Sequence, residues 1–190
     1  MVKVDCAINK YVAQQLKENY EWIINATADC TENFGIDDIM FSAGTEENYI
    51  GVPCEVKSIK GGWQLKYDDD WNNYFTCGIY NKLTFHKEPP TAGTPIYFIN
   101  ATDYRGDYSK GKYQKLLENH ACLVYIAPDG MIIFNPKELK NAFVGYADYF
   151  VRHTTEYGKN NKRLWETKAV LDLSQGTYVP CNPPIELFEK

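Results

Sequence analysis

The chain has 190 residues, of which 44% are hydrophobic and 24% charged, and its formal net charge is −5. That length and apolar share predict one domain over residues 1–190 with a real core, and exclude global disorder. No apolar run approaches the ~18 residues of a membrane-spanning helix, and Met1-Val2-Lys3-Val4-Asp5-Cys6 lacks the apolar stretch of a secretory signal.

Residues 5–25 carry helical periodicity. Ile8, Tyr11, Val12, Leu16, Tyr20, Ile23 and Ile24 recur on one side, with Lys10, Gln14, Lys17, Glu18 and Glu21 opposite. A polar linker ends at Gly35. Ile36 to Ala43 reads as a strand, Gly44-Thr45-Glu46-Glu47-Asn48 as a turn, and Tyr49 to Lys60 as a second strand closed by Gly61-Gly62. Residues 63–80, which include Trp63, Asp68-Asp69-Asp70, Trp71, Tyr74 and Phe75, fit no template. Short strands are expected at Lys82 to His86 and Pro95 to Ala101, then a helix over Ser109 to Asn119. Cys122 to Ala127 is apolar, Pro128-Asp129-Gly130 turns the chain, and Met131 to Phe134 returns as a strand. Asn135, Pro136 and Glu138 form the start of a helix with a capping box, predicted to run to about Phe150. Thr167 to Leu173 is a last strand. Mixed strands with helices at both ends predict an α/β domain.

The acidic excess lies in residues 1–104, whereas residues 105–190 are slightly basic. Lys110, Lys112 and Lys115 cluster there, as do Lys159, Lys162 and Arg163, and such clusters can neutralise a phosphate backbone. The pI near 5.3 nevertheless excludes a generally basic surface. Six cysteines form no Cys-x-x-Cys pair, so neither a zinc ribbon nor a thioredoxin-like motif is present. Without a secretory signal, six reduced thiols and a cytoplasmic location are expected, and the sequons at Asn25 and Asn100 carry no meaning.

The strongest chemical pattern is Asp38 followed by Glu55-Val56-Lys57. Residues two apart on a strand share a face, so Glu55 and Lys57 can serve one site. If the two strands pair as a hairpin, Asp38 comes alongside Glu55. Two carboxylates, the Val56 carbonyl and waters make a hard oxygen set suited to Mg²⁺, with Mn²⁺ as substitute. A lysine beside that set can orient a water and stabilise developing phosphoryl charge.

With these segments, Gly35-Ile36-Asp37-Asp38-Ile39-Met40-Phe41 and Val52-Pro53-Cys54-Glu55-Val56-Lys57-Ser58, the chain resembles the PD-(D/E)XK nuclease superfamily. The motif-bearing resemblance covers residues 5–60 and implies a restriction-endonuclease-like mixed sheet flanked by helices. It also implies Mg²⁺-dependent hydrolysis of DNA by Asp38, Glu55 and Lys57, with a homodimer as a common assembly. Asp38 fits the family pattern better than Asp37, since it directly precedes the apolar strand. Some relatives recruit an acid from the first helix, where Glu18 and Glu21 are available, and some place a polar residue where Gln64 stands. The alternative is a non-catalytic α/β module of a phage or mobile element that binds DNA or protein.

Competing patterns are weaker. Glu138-Leu-Lys140 lies on a predicted helix, where residues two apart diverge by ~200°. Glu166-Thr-Lys168 begins a strand, but its upstream acid, Asp148, falls on the predicted helix. Gly106 to Tyr113 approaches a phosphate-binding P-loop yet ends in Tyr113 where Ser or Thr is required. His86, His120 and His153 show no metal-ligand spacing.

Overall fold

In the computed structural model, residues 2–30, 38–59, 83–88, 90–91, 94–103, 105–153 and 162–189 are described. The protein is mixed α/β, with a six-stranded mixed sheet and a four-stranded antiparallel sheet. These fall into two compact units. The first comprises Met1–Lys66, Leu116–Asn141 and Gln175–Lys190, the second Tyr67–Lys115 and Ala142–Ser174.

In the first unit the helix α1 spans Val2–Asn19 and is followed by a strand, β1, at Ile23–Ala28. The helix predicted through residue 25 therefore ends six residues early. The amide of Ile23 bonds the Tyr20 carbonyl in a tight turn, and Ile23-Ile24 enters the sheet. An Ile-Ile pair satisfies helical and strand periodicity alike, so the local pattern had no means of choosing. β2 (Ile39–Gly44) and β3 (Tyr49–Ser58) form the predicted hairpin, in register Ile39 to Cys54 and Phe41 to Val52.

The hairpin continues into two further strands across a parallel junction. β3 pairs parallel with β6 (Cys122–Ala127), with Glu55 opposite Leu123 and Lys57 opposite Tyr125. β7 (Gly130–Phe134) returns antiparallel, and β10 (Thr177–Val179) closes that edge. The order is β1-β2-β3-β6-β7-β10. Ile8, Val12 and Leu16 of α1 share one core with Ile39, Phe41, Cys54, Val56, Cys122, Val124 and Ile126. The alternate residues Leu123, Tyr125, Ile132 and Phe134 are also fully buried, which is why β6 and β7 read as continuous apolar runs.

The second unit holds β4 (Leu83–Phe85), β5 (Ile96–Asn100), β8 (Phe143–His153) and β9 (Lys162–Asp172), in the order β4-β8-β9-β5. The helix expected over 109–119 is a 3₁₀ turn at Tyr108–Lys110 followed by α2, Lys112–Glu118.

The capping box at α3 (Pro136–Asn141) is formed as read. The Glu138 amide donates to Asn135 Oδ1 at 2.8 Å, and the Asn135 amide to Glu138 Oε2 at 2.9 Å. The helix stops at Asn141, however, and 143–153 is a strand rather than its continuation. Val144 is exposed and Ala147 buried across a bulge near Gly145, whose φ of 152° only glycine adopts readily. Among the described residues no helix is long and apolar enough to cross a membrane.

Six reduced thiols were expected, and that expectation is corrected. Cys6 on α1 and Cys30, two residues beyond β1, form a disulfide with a Cα–Cα distance of 5.0 Å. Cys54 and Cys122 are free and buried, Cys181 is free and partly exposed, and Cys77 lies outside the described residues.

Candidate functional site

The hairpin brings Asp38, Glu55, Val56 and Lys57 together. Asp38 immediately precedes the first β2 residue, and the register of Ile39 with Cys54 sets it across from Glu55. Its Oδ2 accepts the Val56 amide at 2.8 Å. The carboxylate thus occupies the edge of β3 that β2 would have covered had the ladder continued.

That bond also fixes where the Val56 carbonyl faces. On a strand the N–H and C=O of one residue leave by the same edge, and successive residues alternate edges. The Ile59 amide bonds the Ile126 carbonyl on the β6 side, so Val56, three residues earlier, turns its amide and carbonyl to the β2 side. Asp38 and the Val56 carbonyl therefore share one edge.

Glu55 is only 2% exposed and its Oε1 lies 2.6 Å from Lys57 Nζ. A carboxylate so far out of water is tolerated only with a charged partner, and Lys57 provides it while its own side chain stays 43% exposed. A cleft of about 250 Å³ opens beside this pair, lined by Ile8, Asn9, Asp38, Val56, Lys57 and Ser58. Beneath it the Cys54 thiol is pushed well above its ordinary range, first by burial, then by Cys122, Asp38 and Glu55. A thiol held neutral in this way is a packing group and a poor nucleophile.

The donor set suits a hard cation: two carboxylates and a backbone carbonyl, all oxygen. Among the described residues no three His, Cys, Asp or Glu side chains gather elsewhere or here. Asp37 and Gln64 lie outside the described residues. Glu18 does not reach this cleft. It accepts from Gln14 and Gln15 on the exposed side of α1, beside a separate cleft of about 500 Å³. Glu21 is exposed in the turn after α1.

Asn9 was missed. It stands three, four and seven residues before Val12, Ala13 and Leu16, inside the buried stripe of α1. A polar residue inside an otherwise apolar helical stripe is the signal that marks it.

Asp148 lies on β8, opposite Thr167, and not on a helix as expected. Glu166 and Lys168 on β9 do share a face, at 2.8 Å, with Lys168 buried at 7% beside the Phe98 and Tyr149 rings and Asn100. Asp148 belongs to a different group. Its Oδ1 lies 2.8 Å from His86 Nε2 and accepts the Thr167 hydroxyl at 3.1 Å. Among the described residues, Glu166-x-Lys168 thus lacks the upstream acid that the pattern requires.

The P-loop reading fails on geometry. Asp103 Oδ1 accepts the amides of Arg105 and Asp107, at 2.9 and 3.0 Å, so the loop's own carboxylate occupies donors that a phosphate would need. The Asp107 amide is the first cause holding the Asp103 carboxyl below its usual range. Gly111 is glycine for packing, since a Cβ there would meet the Ala101 carbonyl.

Of the basic clusters, Lys110 is exposed and 3.8 Å from Asp107, Lys115 is exposed, and Lys112 is half-buried. Lys162 and Arg163 are in β9, their side chains outside what is described, as is Lys159 altogether. Asp68 to Asp70 also lies outside the described residues.

No family model, curated protein or solved structure matches this chain.

Proposed function

We propose that this protein is a metal-dependent nuclease that hydrolyses DNA phosphodiester bonds, with the restriction-endonuclease-like arrangement that its hairpin motif resembles. The observation that carries the proposal is the cleft at which Asp38, the Val56 edge and Lys57 meet, with the buried Glu55 held beside it by Lys57. Asp38, Glu55 and the Val56 carbonyl are the ligands for Mg²⁺ or Mn²⁺. Bound there, the cation supplies Lewis-acid polarisation of the phosphoryl oxygen and lowers the pKa of a ligated water.

The chain's own residues do the rest. Asp38 is held in place by the Val56 amide, so its carboxylate is oriented before any ligand arrives. Lys57 pairs with Glu55 in its buried position, and the exposed side of its ammonium can hold an attacking water and meet negative charge developing on phosphorus. The lysines from 110 to 115, with Lys159, Lys162 and Arg163, are the proposed contacts for backbone phosphates. A homodimer is proposed from resemblance alone, since cutting both strands of a duplex calls for two sites.

A cytoplasmic location was expected together with six reduced thiols; the Cys6–Cys30 bridge leaves it without the support of the thiols, because such bridges persist in oxidising surroundings.

The test is cleavage of plasmid, linear, single-stranded and four-way-junction DNA with Mg²⁺, Mn²⁺ or EDTA, using the native chain beside Lys57→Ala. Metal-dependent cutting lost in Lys57→Ala is the expected result. No cutting of any substrate, and no Mn²⁺ binding by calorimetry, would sink the enzyme reading in favour of a non-catalytic DNA- or protein-binding module.

A further inference from the structure

Asn9 is 6% exposed, lines the Asp38–Lys57 cleft, and among the described residues its carboxamide has no hydrogen-bond partner. A buried amide without a partner forfeits its hydration and gains nothing in return, so native proteins rarely keep one without a use for it. The position makes this more pointed. Val12, Ala13 and Leu16 continue the same stripe into the core, where an aliphatic residue would pack at no such cost.

The cleft's chemistry indicates what the amide is for. Asp38 lines it and Glu55 is buried beside it, anionic groups suited to a cation, and Lys57 on its wall is paired with Glu55. A phosphoryl group entering beside the cation brings further anionic oxygens that need donors. The carboxamide offers two N–H donors without adding charge, and the Ser58 hydroxyl on the same cleft wall offers another. We infer that Asn9 is a substrate-binding residue, its Nδ2 donating to a non-bridging oxygen of the phosphoryl group held in this cleft.

The inference rests on the nuclease reading for its substrate but is tested without cleavage. The native chain, Asn9→Leu and Asn9→Ala are compared in thermal unfolding, in Mn²⁺ calorimetry, and in inorganic phosphate binding measured with Mn²⁺ present. Replacing an unpartnered amide by an apolar side chain of similar size should raise the melting temperature of Asn9→Leu by about 2–4 °C. Both variants should bind phosphate about tenfold to a hundredfold more weakly, the range for a hydrogen bond to a charged group. Mn²⁺ affinity should stay within about twofold, because the amide is not a ligand.

A lower melting temperature in Asn9→Leu with unchanged phosphate affinity in Asn9→Ala would make the amide structural and overturn the inference. A tenfold loss of Mn²⁺ affinity in either variant would make it a metal ligand and overturn it too. A native chain that binds no phosphate overturns it outright. A native chain that binds phosphate through Asn9 but cuts no DNA leaves this subsite standing and removes only the nuclease.

Discussion

At the scale of single residues, burial assigns different roles to two similar lysine–glutamate pairs. In the first, glutamate is buried and lysine reaches water; in the second, lysine is buried at 7% and Glu166 is the partly exposed partner. Lys57 can therefore meet a ligand, whereas Lys168 is enclosed by Asn100, Phe98 and Tyr149. Asp38→Asn should abolish Mn²⁺ binding, while Lys57→Ala, which strands Glu55 but leaves Asp38 and the Val56 carbonyl in place, should only weaken it and lower cutting by about 10²–10³-fold, the cost of losing one transition-state donor. Calorimetry and plasmid nicking run side by side separate these outcomes. Lys168→Met should leave cutting unchanged and cost less stability than Glu166→Ala, which strands a buried ammonium. Urea unfolding that ranked the two the other way would contradict this.

At the scale of elements, the site depends on α1 lying across the hairpin. Val12 and Leu16 seat the helix on Ile39, Phe41 and Val56, and the Cys6–Cys30 bridge ties its first turns to the residues just after β1. The bridge spans 24 residues, and closing a loop of that size stabilises by about 3 kcal/mol. Reduction, or Cys6→Ser with Cys30→Ser, should therefore lower the melting temperature by about 6–12 °C. Because Asn9 is carried on the same helix, the reduced protein should also bind phosphate more weakly. An unchanged melting temperature under reductant would mean the bridge adds nothing. At the other end of the chain, Asn135→Ala removes the reciprocal bonds with Glu138 and should cost about 1 kcal/mol in denaturant unfolding.

At the scale of the whole molecule, stability should depend on alkaline pH. Burial raises the Cys122 thiol from an ordinary value near 9 to about 12, and the Tyr113 hydroxyl from near 10 to about 12. The unfolded chain releases these protons first, so above pH 9 it binds fewer protons than the native protein. Stability from these groups is full below pH 9 and is lost as pH climbs through the 9–12 window. Unfolding free energy should fall steadily between about pH 9 and about pH 12. A flat profile there would show that the buried thiol and phenol titrate normally.

Local pattern determined a good deal. Alternation and turn residues located β2, β3 and their hairpin, and the Asn135–Glu138 box located a helix start, because both signals are written within a few neighbouring residues. The same signals placed Asp38 beside Glu55, since a tight hairpin sets its own register. Where local pattern was ambiguous, tertiary pairing decided. Ile23-Ile24 became β1 because β2 was there to accept it, and 143–153 became β8 because β9 paired with it along its length. That second pairing also moved Asp148 from a supposed helix onto a strand beside His86. Nor could spacing alone show that Cys6 meets Cys30, that Glu55 is buried, or that Asn9 has no partner among the described residues, since each depends on which distant surfaces close over it. The chain's chemistry could be read from neighbours in sequence, but the enclosure that gives it force came only from the fold.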